Sequence, residues 1–381
     1  MSGRSIFEEV TETRKPATTP GALSAGRGRG RGFARAWLMV LFAMVVAMIA
    51  VGGLTRLTDS GLSITEWAPL SGALPPMSEA DWQAEFDKYK QIDQWQMMHQ
   101  WMELDDFKFI FWWEWGHRQL GRAIGLVWAI GFFGFMAARN IPAGWTGRLL
   151  WIGVLGGLQG AVGWWMVASG VTQGEDVDAV ASYRLATHLG LAFVILGFIA
   201  WYAFLLGRGE RDLVQARRLR ERRLFAVATG WMYLAFAQIL IGALVAGIDA
   251  GRNYVDWPLM AGQFLPPDAT ELTPMWRNFF ESPGLVQFIH RMVGYALLAY
   301  GIFAWLAGRG SAHGATRRAF AIAFAGLLAQ VVLGIVTVLY AAPWDIAITH
   351  QLVAVIVWVL ILRARYLAAY PVAGSVRDRA A

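Results

Sequence analysis

Cysteine is absent from all 381 residues, which excludes thiolate haem ligation, covalent c-type haem attachment, iron–sulfur clusters and structural disulfides together. Any tightly bound metal or haem must then use histidine, of which the chain has six. Charge is scarce too. Only 16% of residues are charged against 56% hydrophobic, and the mean hydropathy is +0.42, a balance that soluble domains of this length rarely show. Lysine occurs only as Lys15, Lys88, Lys90 and Lys108; genome codon bias accounts for this as well as any function does. No cleavable secretory signal is expected before the first apolar run, and Glu8, Glu9 and Glu12 argue against a mitochondrial transit peptide. A bacterial inner membrane is the expected location.

What the chain does have is apolar sequence in runs long enough to cross a bilayer, for which about 20 residues suffice. They lie near 33–55, 109–137, 149–170, 183–207, 224–248, 284–307, 319–341 and 344–362, which predicts an all-α integral membrane protein of eight transmembrane helices. Arginine clusters in the N-terminal tail, around 139–148, in 208–223, in 309–318 and after 363. These clusters share one side of the alternating spans, so the positive-inside rule puts both termini in the cytoplasm. The opposite loops lean acidic, residues 56–108 holding ten Asp or Glu against four Lys or Arg. The net charge of +6 therefore reflects topology, and no nucleic acid partner is expected. Residues 1–32, ending in the alternation Gly26-Arg27-Gly28-Arg29-Gly30-Arg31-Gly32, read as a flexible basic cytoplasmic tail. Residues 208–223 read as a cytoplasmic linker between bundles at 33–207 and 224–365, and 366–381 as a second tail.

Four histidines sit just inside the starts of apolar segments: His117 and His188 in the first half, His290 and His350 in the second. The surrounding sequence is duplicated as well. Asp59, Glu66, Trp67, Gly72 and Pro75-Pro76 match Asp249, Asp256, Trp257, Gly262 and Pro266-Pro267, and Gln159 and Gly163 match Gln330 and Gly334. Each half thus has four helices. An even number of spans per repeat makes the halves enter the membrane in the same direction, so two tandem four-helix bundles related by a pseudo-twofold axis along the membrane normal are expected. Within each half the second and fourth spans run parallel, and the imidazoles should lie roughly 9–14 Å below the outer surface.

Two histidines facing one another at one depth suit a haem standing between parallel helices, with one imidazole on each side of the iron. Gly121, Gly125, Gly190 and Gly294 would admit a flat macrocycle or a close helix, and Arg118, Arg122, Arg184 and Arg291 are candidates for pairing with propionates. A lone intramembrane histidine is as often a packing residue as a ligand, but four at matched depth in repeated context are not explained that way. The arginines have an alternative role as snorkelling residues. Trp67, Trp257 and Trp344 read as interfacial anchors, His99 and His313 as surface residues in loops, and Gln159 and Gln330 either as interhelical bonds or as macrocycle contacts.

The run Gly52-Gly53-Leu54-Thr55-Arg56-Leu57-Thr58-Asp59-Ser60-Gly61-Leu62-Ser63, the motif Glu114-x-x-His117-Arg118, and the segments Phe288-Ile289-His290-Arg291 and Thr349-His350-Gln351 resemble haem A synthase. The likeness spans about 35 to 365. It implies an enzyme that oxidises the C8 methyl group of haem o to the formyl group of haem a, with substrate haem in the first half and a bound haem b in the second. It also implies supply of haem o by a farnesylating haem o synthase and delivery towards cytochrome oxidase assembly factors. Oligomeric state, a homo-oligomer included, is left open. Some members carry a cysteine pair in the first outer loop; this chain resembles the cysteine-free class with a long first outer loop, and mechanisms that need those cysteines do not transfer.

The halves differ where chemistry would need them to. Glu114 stands one turn before His117, whereas Gln287 takes that place before His290. A carboxylate in the membrane is costly and calls for a task, either accepting protons or stabilising positive charge on the oxidised methyl carbon; the alternative is a plain bond to His117 or Arg118. The reading is that His117 and His188 flank substrate haem, Glu114 assists its oxidation, and His290 and His350 hold haem b. A dihaem electron carrier or quinol oxidoreductase, and a haem transporter, are the competing readings. Neither needs the Glu114/Gln287 difference.

Overall fold

The computed structural model describes residues 20–69, 71–171 and 179–372, with side chains from residue 30 onward. Eleven α-helices occur in this order: α1 (Pro20–Leu57), α2 (Glu79–Tyr89), α3 (Leu104–Ala137), α4 (Thr146–Val167), α5 (Ser182–Leu206), α6 (Glu210–Arg218), α7 (Arg222–Gly247), α8 (Asn278–Glu281), α9 (Pro283–Arg309), α10 (Gly314–Leu339) and α11 (Trp344–Ala369). Among the described residues the only β pairing is an isolated bridge between Met260 and Gln263. Among the described residues, eight helices are long and apolar enough to span a membrane: α1 from Gly30, then α3, α4, α5, α7, α9, α10 and α11. Even the shortest, α4 with 22 residues, reaches about 33 Å at 1.5 Å per residue, enough for the hydrocarbon core. Large apolar side chains such as Leu126, Ile130, Val332 and Ile356 point outward, as spans bathed in lipid require.

The halves repeat one packing scheme. In the first, α1 packs on α3, α3 on α4, α4 on α5 and α5 back on α1; in the second, α7, α9, α10 and α11 close the same ring. Helices α3 and α5 are therefore diagonal across one ring, as α9 and α11 are across the other. Between the halves, α5 meets α7, α1 meets α11, and α5 meets α11. Under exchange of the halves the first two contacts swap and the third maps onto itself, so the interface has pseudo-twofold character. At its centre the indole N–H of Trp358 donates to the carbonyl of Phe193 at 3.1 Å, and a Cβ at Gly197 would come within 3.3 Å of that indole nitrogen.

Arg56 ties the loop-rich ends of the halves together, bonding Asp59 at 2.9 Å and Asp249 at 2.5 Å. Both aspartates, at matching positions of the repeat, adopt positive φ of 51° and 50°, which a short polar side chain tolerates at a helix exit. Beyond them, the long first loop builds its own core. Leu62, Phe86, Tyr89, Ile92, Met102, Phe107, Ile110, Phe111 and Val167 are buried together, each large side chain contributing about 1.5–3 kcal/mol when fully buried. Ser78 opens α2 with a reciprocal capping box to Asp81.

Boundaries depart from expectation at the opposite end. Helix α1 begins at Pro20 rather than 33, so the basic tail is helical from there; residues 1–19 lie outside the described residues. Arg31 anchors α1 to the end of α5: its guanidinium donates to the carbonyls of Leu205 at 2.8 Å and Arg208 at 2.7 Å. The segment read as a linker holds α6, where Arg208 pairs with Asp212 at 2.7 Å. Helix α11 stays buried through Ala369, beyond the boundary expected at 365; residues 373–381 lie outside the described residues.

Candidate functional site

All four repeat histidines lie on the diagonal helices, His117 on α3 and His188 on α5, His290 on α9 and His350 on α11. All four are half-buried. His117 lies further along its helix than the others because α3 starts early, at Leu104, and spends its first turns in the loop core.

Each imidazole rests on a glycine of a neighbouring helix. A Cβ at Gly163 would lie 2.8 Å from His188 Cε1, one at Gly242 3.0 Å from His290 Cε1, one at Gly334 3.0 Å from His350 Cε1, and one at Gly52 3.2 Å from His117 Nε2. One turn before three of these glycines stands a glutamine. Gln159 Nε2 donates to the carbonyl of His188 at 3.0 Å and lies 3.2 Å from its Nδ1. Gln238 does the same for His290 at 3.0 and 3.1 Å, and Gln330 for His350 at 3.0 and 3.2 Å. The Oε1 atom of each of these glutamines is buried without a partner. An imidazole that ligates a metal through Nε2 carries its proton on Nδ1 and needs an acceptor there, and a turn of the side-chain amide would provide one. Both imidazoles of the second half, and His188 in the first, have such an unspent acceptor behind them, a donor set that fits haem iron.

Glu114 is 2% exposed and fully engaged. One carboxylate oxygen accepts from Arg118 Nη2 at 2.6 Å and Nε at 3.0 Å, the other from the Ser63 hydroxyl and the Ile64 amide, each at 2.8 Å. Arg118 also donates to the carbonyls of Ile64 and Glu66 at 2.6 and 3.0 Å. In the second half, Arg291 donates to Tyr254 and Asp256 at 3.0 and 2.9 Å, and Gln287 to Tyr254 at 3.0 Å. The two loops are thus anchored alike, with an ion pair in one half and a neutral amide in the other.

Residues 35–362 match the cytochrome oxidase assembly protein family COX15-CtaA. The chain belongs to this family. A Ruegeria pomeroyi protein named Heme A synthase is 74% identical over 377 residues, covering 99% of each chain. Proteins of the same name from Ruegeria sp. and Paracoccus denitrificans are 68% and 58% identical, each over 99% of this chain and at least 99% of their own. With eight helices long and apolar enough to cross a bilayer among its described residues, the chain is a multi-pass membrane protein.

The candidate arginines differ in what they have left to offer. Arg118 and Arg291 are committed to loop carbonyls, although Arg291 Nε is buried without a partner. Arg122 donates to Pro69 and Ala68 at 2.9 and 3.0 Å, leaving a buried Nη1 unpartnered. Arg184 donates to Trp165 at 2.8 Å and lies over its ring at 4.8 Å. Among the candidate glycines, Gly190 closes on Leu240 of α7, where a Cβ would come within 2.5 Å, whereas Gly125 has open space.

His99, expected at the surface, is buried. Its Nδ1 lies 2.5 Å from the Tyr89 hydroxyl, which donates to Gln94 Oε1 at 3.0 Å, and Gln94 in turn donates to the carbonyl of Asp59 at 3.4 Å. Burial holds the His99 imidazole below its ordinary pKa and the Tyr89 hydroxyl above its own, the latter reinforced by the carboxylates of Glu114 and Asp59. Sequence reasoning also missed Gln238. The spacing of Gln238 to Gly242 repeats that of Gln159 to Gly163 and Gln330 to Gly334, and that was the available signal.

Proposed function

We propose that this chain is a haem A synthase: an oxidoreductase that hydroxylates the C8 methyl group of haem o to an alcohol and then to a gem-diol, which loses water to leave the formyl group of haem a. The observation that carries the reading is the buried Glu114 carboxylate beside His117, set against Gln287 at the same place in the other half. The names and near-complete coverage of the relatives support it. His117 and His188 take the substrate haem, and His290 and His350 hold haem b, which supplies one-electron transfer when bound.

Glu114 acts by charge. Each of its oxygens already accepts two hydrogen bonds, so its contribution is a fixed negative field towards the methyl carbon as electrons leave, with Arg118 and the Ile64 amide fixing the carboxylate in place. Arg122, through its unpartnered Nη1, receives a propionate; Arg184 and Arg291 are the further propionate candidates. The arginine-rich helix ends are cytoplasmic and the loop-rich ends outer, in a bacterial inner membrane, so the haem sites lie towards the outer side. Haem o arrives from the farnesylating synthase that makes it, and haem a leaves for oxidase assembly.

The test is mass spectrometry of haems extracted from the purified protein after co-expression with a source of haem o. Haem b together with haem a or a hydroxylated haem o is expected. Unmodified haem b alone, near two per chain, would overturn the reading in favour of an electron carrier.

A further inference from the structure

Three of the four imidazoles are backed by a glutamine; His117 is not. The position one turn before its supporting Gly52 is Met48, the repeat counterpart of Gln238. The two side chains occupy the same place: Met48 Cε would lie 3.5 Å from a Cβ at Gly121, and Gln238 Nε2 3.3 Å from one at Gly294. A thioether donates nothing and accepts weakly, and among the described residues no hydrogen bond holds the His117 ring. The ring also faces its glycine differently. Gly52 meets Nε2 first, where the other three glycines meet Cε1.

We infer that Met48 makes His117 the releasing ligand of the substrate haem, while His188, held by Gln159, remains its tether. The inference rests on the proposed assignment of substrate haem to the first half. A cofactor that stays needs both imidazoles fixed, as Gln238 and Gln330 fix His290 and His350. A substrate that must enter and a product that must leave need one ligand without a polar partner behind it, because such partners fix ring orientation and raise ligand basicity. Met48, Gln159, Gln238 and Gln330 are positioning residues: each acts through the imidazole beside it.

The experiment loads the full-length purified protein with haem o and haem b, adds excess apomyoglobin, and follows haem transfer by absorbance. Wild type should release haem in two phases, fast from the first half and slow from the second. Met48→Gln should slow the fast phase by about 10–100-fold and leave the slow one alone, and Gln238→Met should speed the slow phase by a similar factor. If Met48→Gln does not fold, Gln238→Met alone decides. A fast phase unchanged by Met48→Gln, or a slow phase unchanged by Gln238→Met, overturns the inference. Release of both haems in one slow phase by wild type would instead overturn the substrate assignment on which it rests.

Discussion

At the residue scale the decisive side chain is Glu114, whose charge is buried yet engaged at both oxygens. Removing Arg118 would strand that charge, so Arg118→Met should destabilise the protein by about 3–5 kcal/mol, read as a fall in the denaturation midpoint. Glu114→Gln is the milder change, and the chain holds a precedent for it: Gln287 occupies the same place in the second half and donates to the carbonyl of Tyr254, where Glu114 accepts from the Ile64 amide. The variant should fold and retain haem b, because Arg118 keeps its bonds to the carbonyls of Ile64 and Glu66, yet convert haem o at least about 100-fold more slowly, because the carboxylate's charge is lost. Chromatography of extracted haems checks this. Haem a formed at the wild-type rate would leave Glu114 a merely structural group.

At the scale of elements, the loop core around α2 places His99 where protonation is costly, against Tyr89, Gln94 and the backbone of Asp59. The folded pKa of His99 is depressed, so the folded loop binds a proton less readily than the unfolded one. Its stability should be complete above the ordinary value of 6.5 and fall as the pH drops below it. Limited proteolysis within 58–103 should accelerate on acidification from pH 7 to 5, and His99→Gln should remove that step; equal cleavage of wild type at both pH values would contradict the argument. His99 also shows why part of the site was illegible in sequence. Its burial is created by Phe86 in α2, Phe107 at the start of α3 and their neighbours, largely past the last matched residues Pro75-Pro76, and no periodicity announces such a core. The spans, by contrast, were legible because lipid imposes length and hydropathy directly, and the histidine pairs because they recur at matching places of the repeat. Gln238 escaped for a physical reason: its counterpart is Met48, so comparison of the two halves shows a mismatch at that position.

At the scale of the molecule, both histidine pairs lie within closed four-helix rings, while the interface between halves is made by α1, α5, α7 and α11. The sites should therefore be separable by changes inside one ring. Gly334 and Gly163 offer equivalent handles, since any Cβ there would press on His350 or His188, at 3.0 and 2.8 Å respectively. Valine at either position adds bulk that the imidazole must yield to, with no loss of helix propensity relative to glycine. Gly334→Val should remove the haem b half of the haem content and leave the substrate half able to take up haem o, and Gly163→Val should do the reverse. The measurement is haem per chain and haem type in each purified variant. Loss of both haems from either variant would mean that Arg56, Trp358 and the shared helices couple the two rings too tightly for one to be altered alone. Retention of one haem of opposite type in the two variants would establish that duplication has produced two sites free to diverge, one held shut by glutamine on both sides and one left with methionine on the side that opens.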